Sequence, residues 1–178
     1  CVGCVWVSAC RVSALNKSGS LRTPATLNHL RMVDASGRLV MQYLIYVSRY
    51  HMLNQFESIE MCKLVFGSNG LNSGLLSEFT PLTEPLLFFK SLMNEDKITF
   101  SDELGDLLLS HSDDKKLALS VFSKCSPPNP TKILQTLIEI GDFSLVSQFI
   151  KEHQASDWPT ITTDIRSLLN SLLIRQTH

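Results

Sequence analysis

The 178 residues carry a net charge of −1 and 44% hydrophobic residues, ample apolar material for a core and no electrostatic bias toward nucleic acid or an anionic membrane surface. No run approaches the roughly 20 apolar residues of a membrane span, and leucine outweighs valine, tyrosine and threonine, which favours helices over strands. The five cysteines, Cys1, Cys4, Cys10, Cys62 and Cys125, are odd in number and widely spaced, as expected of reduced cytosolic thiols rather than a secreted disulfide framework.

The chain opens at Cys1 without a methionine and so reads as a piece of something longer. Residues 1–20 show no clean period, leaving strand and helix both open. The segment Cys1 to Ala14 is apolar but short, carries Arg11 and has no basic stretch before it. With reduced thiols, the sequon-like Asn16-Lys17-Ser18 carries no meaning. The run from Asn16 to Ser20 is a loop by composition.

Order begins at Leu21-Arg22-Thr23-Pro24. Thr23 is expected to cap a short helix with Pro24 in its first position and Leu27, Leu30 and Met32 following. Asp34 to Gly37 breaks it. A stronger helix runs from Arg38 to His51, with Leu39, Tyr43, Tyr46 and Tyr50 on one side and Leu44 and Val47 beside them; the tyrosines read as a face packed on a neighbour rather than a binding stripe. Asn54 with Glu57 three residues on forms a capping box, followed by Ile59, Cys62, Leu64, Val65 and Phe66. Residues 67–85 read as irregular, with Gly67, Gly70, Gly74, Pro81 and Pro85 as punctuation. Thr83 is expected to cap the next helix, which carries Leu86, Leu87, Phe88, Phe89, Leu92 and Met93.

Residues 98–122 give the clearest pattern. Ser101 is an N-cap followed by Asp102 and Glu103 at the positive helix end, with Leu104, Leu107 and Leu108 at helical spacing. Ser112-Asp113-Asp114 provides a second cap, and Leu117, Leu119, Val121 and Phe122 form the next apolar face. Replacing a core Leu107 or Leu119 by Ala should cost on the order of 2–5 kcal/mol. Gly105 interrupts the first helix at about 1 kcal/mol relative to Ala, which implies a close helix approach there. After Ser126-Pro127-Pro128, Asn129 and Pro130 start a helix bearing Ile133, Leu134, Leu137, Ile138 and Ile140 and ending at Gly141. Asp142 caps its partner, which carries Phe143, Val146, Phe149 and Ile150; so short a link permits only antiparallel neighbours. Asp157-Trp158-Pro159 opens a last helix with Ile165, Leu168, Leu169, Leu172 and Leu173. Helices of about ten to fifteen residues joined by short links predict an all-α fold, an α-solenoid of antiparallel helical hairpins, with a compact bundle as the competing arrangement.

Chemistry is sparse. Cys1-Val2-Gly3-Cys4 has metal or redox spacing but no second pair to complete a zinc site. Gly67 to Gly74 lacks the Gly-Lys-Ser/Thr ending of a phosphate loop. His111 stands among Ser110, Ser112, Asp113 and Asp114, but neighbouring residues diverge and do not form a triad, and capping accounts for Ser112 and the aspartates. No catalytic, cofactor-binding or metal-ligating constellation emerges, and neither enzyme activity nor a cofactor is expected.

Several segments resemble the clathrin heavy chain, in order. Gly19-Ser20-Leu21-Arg22-Thr23-Pro24-Ala25-Thr26-Leu27 is similar to G-I-L-R-T-P-D-T-I. Leu53 to Lys63 is similar to L-N-K-Y-E-S-L-E-L-C-R. Glu95-Asp96-Lys97, Ser101 to Leu107 and Leu117 to Phe122 resemble the series EDK, S-E-E-L-G-D-L and L-A-L-S-V-Y, and Gly141-Asp142-Phe143 and Asp157-Trp158 follow. Residues 1–18 do not match, 67–85 read as an insertion in a link, and Pro127, Pro128, Pro130 and Pro159 depart from the pattern, as in a fast-evolving heavy chain.

The resemblance implies a leg segment: residues 1–20 unassigned, 21–97 a helical linker or ankle interrupted at 67–85, and 98–178 the start of a clathrin heavy-chain repeat. It implies a structural role in the coat of pits and vesicles at their cytoplasmic face, supplying rigidity and leg–leg contacts in vesicle-mediated transport and endocytosis. The partners implied are other heavy chains, in trimer and lattice. Light chains and adaptors would engage parts without counterpart here, and membrane association would be peripheral, through the coat. The alternative is a helical-repeat interaction module of a vesicle-tethering or trafficking complex.

Overall fold

The computed structural model describes residues 22–67, 76–81 and 84–153. Among these residues there are eight helices and no strand: α1 Pro24–Val33, α2 Arg38–Tyr50, α3 Gln55–Phe66, α4 Pro85–Asn94, α5 Asp102–His111, α6 Lys115–Lys124, α7 Pro130–Ile140 and α8 Phe143–His153. Each packs on the next in sequence from α1 to α4 and from α5 to α8, and α3 lies against α5. This is an all-helical solenoid, with one apolar core running from Leu27 to Val146. The expectations for residues 1–21, for most of the glycine-rich stretch at 68–75, for Thr83 and for the helix after Trp158 lie outside the described residues.

Local chemistry sets the helix ends. The reciprocal Asn54–Glu57 box is formed: Asn54 Oδ1 accepts from the Glu57 amide at 3.0 Å and Glu57 Oε2 accepts from the Asn54 amide at 2.9 Å. Ser101 Oγ accepts from Leu104 N at 3.2 Å, Asp114 Oδ1 from Lys116 N at 3.1 Å, Asn129 Oδ1 from Lys132 N at 3.4 Å and Asp142 Oδ1 from Leu145 N at 3.1 Å. Each satisfies an amide that the first helical turn would leave orphaned. Gly141 closes α7 in the left-handed region at φ 80°, where a side chain would be strained. One cap differs from expectation, and one helix starts a residue later than expected. Thr23 makes no capping bond to α1, and Glu84 occupies the N-cap position of α4. Between α1 and α2, Asp34 accepts from Ser36 N, Ser36 Oγ and Leu39 N, so this carboxylate organises a turn that composition marked only as a break.

The α5–α6 hairpin and α7 form the tightest part. Leu104, Leu108, Ala118, Val121 and Phe122 are fully buried, whereas Leu107 and Leu119 are only half-buried against the core. The expected Leu→Ala cost therefore moves from 107 and 119 to 104 and 108. Gly105 is itself buried. A β-carbon there would stand 2.5 Å from Cζ and 2.7 Å from Cδ1 of Phe122, and nearer still to Cε1. The interrupted helix is thus the contact point with α6. Replacing Gly105 by Ala is expected to destabilise by about 1–3 kcal/mol, despite the gain of about 1 kcal/mol in helix propensity; an unchanged urea midpoint would show that the ring can move aside. Asn129 Nδ2 donates to Asp102 Oδ2 at 2.7 Å, and Lys132 pairs with Asp106. Both bonds tie the start of α7 back to α5.

The link into this hairpin is also bonded to the preceding helices. Leu53 N donates to Lys97 O at 2.7 Å, Thr99 N to Ser58 Oγ at 2.9 Å and Thr99 Oγ1 to Leu53 O at 2.6 Å. Ile98, between them, is 1% exposed. Within the irregular 67–85 stretch, Leu76 is fully buried, the amides of Phe79 and Thr80 return to its carbonyl at 3.1 Å, and Glu78 pairs with Arg38 at 2.9 Å. Residues 76–80 are therefore anchored to the core.

Several apolar residues face water instead of the core. Met32 is 87% exposed and Phe143 59%. Of the three tyrosines on α2 only Tyr43 is buried; Tyr46 and Tyr50 are exposed, their ring centroids 5.2 Å apart and tilted by 53°. Their helix has α1 and α3 as its neighbours, and these do not cover the whole stripe.

Candidate functional site

The side chains that superficially supplied a triad are occupied otherwise. His111 is exposed in the last turn of α5, Ser110 Oγ donates to Leu107 O, and Ser112 Oγ accepts from Asp114 N. Asp114 caps α6 and accepts from Lys90 Nζ at 2.8 Å. Among the described residues no group of three or more His, Cys, Asp or Glu stands ready to hold a metal ion. Cys62 and Cys125 are free and buried. Burial pushes the Cys62 thiol up to about 12 and raises that of Cys125, with Asp102 adding to the effect. Neither thiol ionises appreciably near neutral pH, and a protonated thiol is a poor nucleophile.

Lys90 holds the Asp114 carboxyl below its ordinary value of 3.8, with the capping amides contributing. A carboxylate whose folded pKa is lowered stabilises the fold above its unfolded pKa, and that contribution disappears as pH falls through the lower folded value. The pair is partly exposed, so Lys90→Met should cost no more than about 1 kcal/mol at pH 6. In urea titrations the wild type and Lys90→Met should differ at pH 6 and converge as pH falls through the lowered Asp114 value; a pH-independent difference would assign the effect to packing.

The most built polar site is structural and lies where three segments meet. The Glu57 side chain is 2% exposed, yet every approach to its carboxylate is filled by a donor. Arg22 Nε donates to Oε1 at 3.0 Å and Arg22 Nη2 to Oε2. Tyr43 Oη donates to Oε1 at 3.1 Å, and the Asn54 amide to Oε2. Arg22 Nη2 also reaches Met52 O at 2.6 Å, and Asn54 Nδ2 donates to Arg22 O at 3.0 Å. The hydrogen bond to Glu57 raises the Arg22 guanidinium further above its ordinary value, against the opposing effect of burial. A buried carboxylate is costly unless paired and hydrogen-bonded; here a two-pronged arginine and two further donors meet that requirement. The donors of the cluster are all committed to the Glu57 carboxylate or to the Met52 and Arg22 carbonyls. The cluster fixes the chain entering α1 against the turn between α2 and α3.

Sequence reasoning found the Asn54–Glu57 half of this joint from capping spacing. It missed Arg22 and Tyr43 as partners, because they stand 35 and 14 residues away from Glu57. The available signal was that Arg22 and Glu57 each fall in a motif carrying the resemblance.

An all-helical solenoid held by caps, a buried ion pair and close helix crossings is a scaffold architecture. This chain is 30% identical over 151 residues to the clathrin heavy chain of Drosophila melanogaster, a match covering 83% of this chain and 8% of that protein. It is 30% identical over 157 residues to human clathrin heavy chain 2, covering 86% and 8%, and 27% identical over 144 residues to the probable clathrin heavy chain 1 of Caenorhabditis elegans, covering 79% and 7%. The chain spans less than a tenth of the length of these relatives. No family model matches it, and no solved structure matches significantly. The chain is a divergent homologue of one segment of the clathrin heavy chain.

Proposed function

We propose that this chain is a structural leg segment of a clathrin-type vesicle coat, acting without catalysis. The carrying observation is the alignment with clathrin heavy chains over about four-fifths of the chain. In this reading, residues 21–97 serve as linker or ankle and 98–178 begin the heavy-chain repeat. Their mechanical role is to resist bending. Opening the link between α3 and α5 would break the Leu53–Lys97 and Thr99–Ser58 bonds and expose Ile98, and separating α1 from α3 would strand Glu57. Partners are other heavy chains, in trimer and lattice. Light chains and adaptors engage regions outside the matched segment. The site of action is the cytoplasmic face of coated pits and vesicles, in vesicle-mediated transport and endocytosis; no helix among the described residues is long and apolar enough to cross a membrane, and attachment is through the coat.

The Arg22–Glu57 joint favours this reading over a tethering-complex module, since it links two motifs outside the repeat itself. The test is a chimera: the corresponding segment of a clathrin heavy chain replaced by residues 21–153. Cages of normal diameter by electron microscopy are expected. A chimera that trimerises and keeps its helical circular dichroism but builds no closed cages would overturn the proposal.

A further inference from the structure

We infer that the cleft between the second half of α2, residues 79–81 and α4 docks a short extended peptide bearing an apolar side chain beside a carboxylate. Its volume is about 420 Å³, within the roughly 300–1,000 Å³ of ligand pockets. Ile45, Phe88 and Leu92 form a buried apolar floor, and half-buried Phe79 stands as a wall. Arg49 and Lys97 line the same cleft, and neither side-chain cation has an ion-pair or hydrogen-bond partner among the described residues. The one carboxylate there, Glu95, already accepts from Ser91 Oγ at 2.8 Å. An apolar floor beneath two uncommitted cations is complementary to an apolar residue flanked by Asp or Glu. A free small anion would leave the floor wet, and two cations are too few to track a nucleic-acid backbone.

The wall is held in place before any ligand arrives. Leu76 is buried in the core, Glu78 pairs with Arg38, and the Phe79 and Thr80 amides are bonded to Leu76 O. Such preorganisation reduces the ordering cost of binding. This wall falls in the 67–85 stretch read from the sequence as an insertion, so the cleft is a feature of this chain beyond its proposed scaffold role.

The test uses the full 178-residue chain on an array of heptapeptides. Leu, Ile, Phe or Trp and Asp or Glu are placed at every spacing in a Ser-Gly background, each with its Asn or Gln twin. The tightest binder is then titrated by fluorescence anisotropy. Acidic members should bind, with their amide twins about tenfold weaker or worse. The double variant Arg49→Glu, Lys97→Glu should weaken binding by about tenfold or more at an unchanged melting temperature, and Phe79→Ala should weaken acidic and amide peptides alike. An array with no charge-dependent binder, or binding indifferent to the double variant, overturns the inference. So does self-association, or capture on phosphatidylserine vesicles, that the double variant abolishes while no peptide binds; those outcomes assign the cleft to a second copy or to a membrane.

Discussion

Truncating Phe122 to alanine is expected to cost about 3–5 kcal/mol, read as a fall in the urea midpoint at unchanged slope. The ring is fully buried on α6, fits against the bare backbone of Gly105 on α5, and has the Lys132 ammonium 5.5 Å from its centroid. Removing it leaves a cavity that the closely packed α5, α6 and α7 cannot readily fill. The same geometry predicts strong coupling. Gly105→Ala, destabilising in the wild type, should become neutral or stabilising by up to about 1 kcal/mol in the Phe122→Ala background, where the added methyl enters vacated space and its helix propensity is gained. Additive effects of the two substitutions would mean that the ring and the glycine are not in contact.

The second large effect concerns charge. Arg22→Ala removes both guanidinium bonds to Glu57 and leaves the carboxylate buried with only Tyr43 Oη and the Asn54 amide. Breaking a buried pair on one side costs roughly 3–5 kcal/mol. The Arg22 side chain keeps 20% of its surface exposed, so the lower end, about 3 kcal/mol, is expected. Glu57→Gln in the Arg22→Ala background should restore part of that loss. The amide oxygen still accepts from Asn54 N or Tyr43 Oη, and no unpaired charge remains. If Arg22→Ala lies within error of the wild type in a urea melt, the joint contributes nothing to rigidity and the mechanical part of the coat proposal loses its main support. A neutral result at 50 mM salt would be especially damaging, because screening cannot account for it there.

Arg22 and Gly105 show where the two kinds of information divide. Capping and periodicity are local: Asn54 to Glu57, Ser101 to Leu104, Asn129 to Lys132 and the Gly141 turn all act within a few residues. They could be read from the chain because the groups that satisfy a helix end lie beside it. The all-helical class and the hairpin rhythm follow from the same short-range rules. Periodicity also marked α2 as amphipathic, but it could not say how much of the tyrosine stripe a neighbour would cover. Tyr43 received Glu57 as a partner and is buried, while Tyr46 and Tyr50 keep 43% and 65% of their surface exposed. Leu107 and Leu119 show the same limit: spacing puts residues on a shared face, but the crossing of two helices selects which of them it buries.

The sequence by itself determined the helices among the described residues, most of their ends and the likeness to the clathrin heavy chain. Each rests on contacts within one or two turns or on ordered motifs. The tertiary structure alone decided that Arg22 closes on Glu57, that Phe122 occupies the space left by Gly105, and that residues 76–81 wall a cleft with Arg49 and Lys97 facing it. Those pairings join residues distant along the chain, and their energy comes from desolvation and close packing, which exist only once the helices have met.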